Sequence, residues 1–196
     1  CFVGLILLIA GLSIASDRSA QSNLATLDRI GNQQLNELNR ADSLLNQAML
    51  ALETASNLLM VGQTRQSNEQ VDIAADRLER AERRYTNFMT TPRMPQGERL
   101  GETLDQHFMQ VLELVKQQHA SFETMDINTF NRLRGELIEP LGELAASTTA
   151  FTQYAFDRVA TVREEAQAQG NLFTMVSVAA VVLALLVTLA IYFGLR

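Results

Sequence analysis

Residues 24–59 read LATLDRIGNQQLNELNRADSLLNQAMLALETASNLL, and their apolar spacing decides the architecture. Leu24, Leu27, Gly31, Leu35, Leu38, Ala41, Leu45, Ala48, Leu52, Ala55 and Leu59 recur at steps of three and four. A helix keeps such positions on one side, so the spacing predicts a long amphipathic helix with a seam for partner helices. Leu44, Ala51 and Leu58 add a second stripe beside the first through the distal half. A face that wide fits a deeply buried helix, or one that serves both its own bundle and a second copy of the chain.

Three further helices follow from the same spacing. Gly62-Gln63-Thr64 ends the first, and Ser67-Asn68-Glu69-Gln70 reads as a capping box that opens the second. Val71, Ala74, Leu78, Ala81, Tyr85 and Phe88 form its inward stripe, while Arg77, Glu79, Arg80, Glu82, Arg83 and Arg84 dress the outside as a solvated face. Pro92, Pro95 and Gly97 then force a turn. The third helix turns Leu100, Leu104, Phe108, Val111, Val115 and Phe122 inward. Asp126 is the expected cap of the fourth, with Phe130, Leu133, Leu137, Leu141, Leu144, Thr148, Phe151, Ala155 and Val162 inward. Pro140 either kinks that helix or marks its true first turn. The expected helices are 16–63, 67–90, 98–123 and 127–170, an all-α fold: an antiparallel up-down-up-down four-helix bundle.

Both ends of the sequence are apolar. Residues 172–195, LFTMVSVAAVVLALLVTLAIYFGL, run 24 positions without a charge and stop against Arg196. At about 1.5 Å per residue they cross a hydrocarbon core of roughly 30 Å, so 171–196 is read as a second transmembrane helix. Residues 1–15, CFVGLILLIAGLSIA, are also charge-free but shorter than the roughly 20 a span needs. They read as a first transmembrane helix, N-terminally truncated; the alternative is a cleaved signal peptide. Against that alternative, no basic stretch precedes them and helical periodicity continues past Ser16. Of the 16 basic residues only Arg196 lies outside the stretch between the two spans, which places the C-terminus in the cytoplasm and residues 16–170 in the periplasm. The expected location is the inner membrane, multi-pass.

Composition excludes several function classes. Asp and Glu number 22 against 16 Lys and Arg, and no basic run tracks phosphates, which argues against nucleic acid. One cysteine permits no intramolecular disulfide. His107 and His119 lack the spacing or the cysteine company of a metal site. With no glycine-rich phosphate loop and no nucleophile elbow, neither an enzyme, a cofactor nor a metal is expected.

Helix lengths point to mechanism. The first and fourth have about 45 residues each outside the membrane, roughly 65–70 Å, and the second and third about 25, nearly 40 Å. Only the outer pair reaches a bilayer, which is the geometry of a sensor.

With this architecture, Ala81-Glu-Arg-Arg-Tyr-Thr-Asn-Phe88 leading to Pro92-Arg93, then Ile127-Asn-Thr-Phe130 and Phe151-Thr-Gln-Tyr-Ala155, resemble the periplasmic sensor region of methyl-accepting chemotaxis receptors of the aspartate and serine receptor type. The resemblance implies a homodimer through the first helix. It also implies a small-molecule ligand near the membrane-distal end, between the first and fourth helices across the subunit interface, and a piston-like shift of the fourth helix. A cytoplasmic kinase and adaptor would be reached through domains absent from this sequence, a HAMP linker and a kinase-control hairpin. One departure matters: the positions aligned with the three ligand-gripping arginines of the amino-acid receptors hold Met49, Thr54 and Leu58. The threonine that receives the ligand amino group also has no clear counterpart, so aspartate or serine is not the expected ligand.

The candidate ligand-binding residues are Gln47, Leu50, Thr54 and Asn57 on the first helix with Asn131, Arg132 and Arg134 at the start of the fourth. Arg132 and Arg134 stand about 200° apart around a helix and cannot share one pocket. Arg134 flanks the inward stripe, and beside hydroxyls, amides and aliphatic carbons it would suit a small organic acid; the plainer reading is a solvated surface arginine. A sensor histidine kinase, a receptor for cyclic-dinucleotide enzymes and a periplasmic protein-binding scaffold module would present the same pattern.

Overall fold

Proline and glycine set where the helices start and stop. The computed structural model describes Ser22 and residues 25–93 and 95–194, with side chains as far as Val182 apart from those of residues 31 and 32. The chain forms two compact units, residues 29–156 and the terminal stretches 1–28 and 157–196.

In the 29–156 unit, a π-helical stretch, Arg29–Leu35, leads into α1 (Asn36–Met60). Then come α2 (Thr64–Thr90), α3 (Pro95–Glu123), α4 (Ile127–Glu136) and α5 (Ile138–Gly194), whose first part, to Phe156, belongs to this unit. With α4 and α5 as one broken fourth helix, this is the all-α bundle the seam predicts, and the described residues contain no strand. Helix α1 packs along α2, α3 packs on both, and α4 packs on α3. The core is built of fully buried Leu38, Leu45, Leu52, Phe88, Leu104, Phe108, Phe130 and Phe151. Each such side chain contributes about 1.5–3 kcal/mol through removal from water.

Each boundary has a local cause. Gly62, at φ 78°, closes α1 with a Schellman motif, its N–H donating to Leu59 O and that of Gln63 to Leu58 O. Pro95 occupies the first position of α3, where a missing N–H costs nothing, so α3 begins three residues before the expected start. The Asp126 carboxylate accepts from the Thr129 N–H as the expected cap of α4, and these bonds hold its pKa below the ordinary carboxylate value.

Two expectations need correction. Ser67 is not a cap: α2 begins at Thr64, and the Ser67 hydroxyl, one turn inside, donates to Ala55 O of α1 at 2.8 Å. Neither is the fourth helix continuous. Pro140 has no N–H for Glu136 O and its ring crowds that carbonyl, so the chain breaks at Leu137 and restarts with proline in the first turn of α5. Of the second stripe of α1, Leu44 and Ala51 are buried within this chain, whereas Leu58 is half-buried.

In the terminal unit, α5 passes Gly170 without interruption, and Thr174 Oγ1 donates back to Gly170 O. Among the described residues no helix is long and apolar enough to cross a membrane. The expected first span, 1–15, lies outside the described residues, as do the side chains of the second beyond Val182.

Candidate functional site

The α1–α2 turn and the α3–α4 turn share one end of the 29–156 bundle, and Arg134 meets the first helix there. Arg134 on α4 reaches α1, its Nη1 donating to Glu53 Oε1 at 2.8 Å. Glu53 precedes Thr54, so Arg134 is drawn to the turn of α1 that carries Thr54 and Asn57. Arg132, by contrast, turns back to Glu136 on its own helix, as the 200° separation requires. Thr54 Oγ1 donates to Leu50 O within α1. Leu50 is 68% exposed, and Asn57 and Asn131 are also exposed. The structure therefore brings Arg134 to the Thr54 turn and leaves Arg132 out. The Arg134 to Glu53 pair is the element that sequence reasoning missed; residues 53 and 57, four apart on one flank of α1, were the available signal.

Gln47 lies apart from this cluster, its Nε2 donating to Ser43 Oγ at 3.1 Å. Both line a groove of about 320 Å³ between α1 and α2, with Asn39, Arg40, Leu44, Arg77, Arg80 and Arg84 completing the wall. The run read as a solvated face thus places three arginines, at steps of three and four, on one wall of a concavity. Arg84 Nη1 donates to Glu37 Oε1 at 2.8 Å, and Arg77 and Arg80 both donate to Asp76.

At the opposite end of the bundle Arg93 is half-buried. Its guanidinium lies over the Phe88 ring, 4.3 Å from the centroid, and donates to Phe88 O at 2.6 Å. Tyr85 stacks on Phe108 with centroids 3.7 Å apart, and Phe88 meets Phe151 edge-on at 5.0 Å. Burial, with Asp105 nearby, pushes the Tyr85 phenol far above its ordinary value, and burial pulls the Arg93 guanidinium below its own. A Cβ on Gly101 would stand 2.6 Å from Arg93 Nη1, so a side chain here requires the guanidinium to shift. His107 Nδ1 sits 3.2 Å from Ser147 Oγ, joining α3 to α5. Among the described residues no group of His, Cys, Asp or Glu side chains is placed to hold a metal ion.

A bundle with a polar groove and paired surface charges suits recognition. The family described as the Tar ligand binding domain homologue matches residues 1–159. The chain belongs to that family. No curated protein matches it. Membership makes this a chemoreceptor sensor domain, ligand-binding and non-catalytic, of the kind that forms the periplasmic part of membrane receptors. A sensor domain of this family takes a small-molecule ligand, and the tip carrying Arg134 and the groove carrying Gln47 are its candidate sites.

Proposed function

We propose that this chain is the sensing part of a chemotaxis receptor in a bacterial inner membrane, and that it detects a small organic acid at the Arg134 end of the bundle. The observation that carries this reading is the Arg134 to Glu53 pair. A guanidinium fork suits a carboxylate, and here an internal carboxylate already occupies it. Both side chains are substantially exposed, Arg134 at 57%, so separating them costs about 0–1 kcal/mol. An incoming acid therefore exchanges with Glu53 at low cost, with Thr54, Asn57 and Asn131 as neighbouring hydrogen-bonding groups. Exchange releases α1 from α4, and α4 leads through Leu137 into the long α5.

In this reading two copies associate through the first helix, and residues 1–15 and 171–196 anchor the domain. Exposed Leu172, Met175, Val178, Val181 and Val182 support the second anchor, since at 100° per residue they make half of the helix circumference an exposed apolar face. The signal passes along α5 to cytoplasmic domains that control a kinase through an adaptor.

Calorimetric titration against a panel of aliphatic and aromatic carboxylates tests the reading. Arg134→Ala abolishes binding of the acid found, and Glu53→Gln, which removes the internal competitor, tightens it. Unchanged affinity in Arg134→Ala would remove the arginine from the site. Silence across the whole panel would favour a domain that recognises another protein.

A further inference from the structure

The groove between α1 and α2 is walled by four arginines, Arg40, Arg77, Arg80 and Arg84. The carboxylates paired with them are Asp76 and Glu37, so two positive charges remain in excess at one concavity. Resident partners hold these arginines unequally. Arg84 is fixed by its 2.8 Å bond to Glu37. Arg77 and Arg80 share a single oxygen, Asp76 Oδ2, at 3.2 and 3.3 Å, longer than the roughly 2.7–2.9 Å of a strong charge-assisted bond. Each of these four guanidinium groups engages its carboxylate or amide partner through one nitrogen, since Arg40 uses Nε toward Asn36 Oδ1 at 3.3 Å.

The remaining wall is chemically complementary. Asn39, Ser43 and Gln47 supply amide and hydroxyl groups, and Leu44, 8% exposed, forms an aliphatic floor. The Glu37 to Arg84 pair sets the antiparallel register, which places Arg77 opposite Leu44 and Gln47. The open groove, of about 320 Å³, has room for a short diacid or a phosphate ester.

We propose that this groove is an anion site for a small dianion, carrying two carboxylates or a phosphate, and that it acts independently of the Arg134 end. One anionic group is taken by Arg77 and Arg80, whose internal partner is poorly placed, and the other charge is met by Arg40 and Arg84. A bound dianion bridges α1 and α2. Neutral and singly charged solutes leave the excess charge uncompensated and bind weakly.

The test is calorimetric titration of the full chain with succinate, hydrogen phosphate and acetate, at low and at physiological ionic strength. Succinate or phosphate is expected to bind once per chain, at least about tenfold more tightly than acetate, and whichever dianion binds better identifies the anionic group. Arg77→Gln and Arg80→Gln each weaken that binding by about tenfold, the effect of one charge-assisted bond. Arg83→Gln, an exposed arginine outside the groove, and Arg134→Ala leave it unchanged. No binding of either dianion, equal binding of acetate, or an equal loss in Arg83→Gln would overturn the site. Loss in Arg134→Ala alone would return the anion to the other end of the bundle.

Discussion

Arginine is used in opposite ways at the two ends of the 29–156 bundle. Arg93, half-buried, lies over Phe88 and near Phe151 and donates to a backbone carbonyl. Arg134 lies in the open, held by one carboxylate on the neighbouring helix. Phe88, which holds Arg93, is itself fully buried, so removing it must be felt by the fold. An exposed pair costs little to form or break. The first end thus stores stability, and the second is free to exchange partners.

The contrast is broken most severely by Phe88→Ala. Phe88 is fully buried and touches Tyr85, Phe151 and Arg93, so its truncation should cost about 3–5 kcal/mol in a urea titration. Gly101→Ala comes next, displacing the Arg93 guanidinium from its place over Phe88 for about 1 kcal/mol. Arg134→Ala should shift stability by no more than about 1 kcal/mol in the same titration, although it removes acid binding. A loss as large as that of Phe88→Ala would erase the distinction between the two ends.

Two acids sharpen the comparison through pH. Burial raises the Asp42 carboxyl above its ordinary 3.8. Its folded value exceeds its unfolded one, so ionisation costs stability, not at all below 3.8 and in full above the folded value. Asp42→Asn should raise Tm at neutral pH and give no gain near pH 3. Hydrogen bonds from Thr129 lower Asp126 below 3.8, which reverses the sign. Its contribution is present above 3.8 and lost as pH falls through the folded value, so Asp126→Ala lowers Tm at neutral pH and loses its effect in strong acid. These are the smallest shifts, to be read by thermal melts across the acid range.

Much of this fold is legible in the sequence because burial imposes a period. The seam from Leu35 to Ala55 and the stripe from Phe130 to Ala155 appear where spacing put them. Features that depend on neighbours were not legible. Ser67 carries the residue pattern of a cap, but its partner is a carbonyl twelve residues back on another helix. The arginines of α2 look like any solvated face until α1 supplies the opposite wall. Arg93 gave no sign of its aromatic surroundings, because nothing local indicates that Phe151, 58 positions later, will stand beside it. The choice left open at Pro140 follows from a local clash, and it resolves as a break.

The Ser67 hydroxyl resting on Ala55 O works as a register pin. Slipping α2 by one residue against α1 would move it about 1.5 Å and strand a buried donor. Anyone building hybrid receptors should accordingly exchange residues 55–67 as one cassette, with splice points placed outside it.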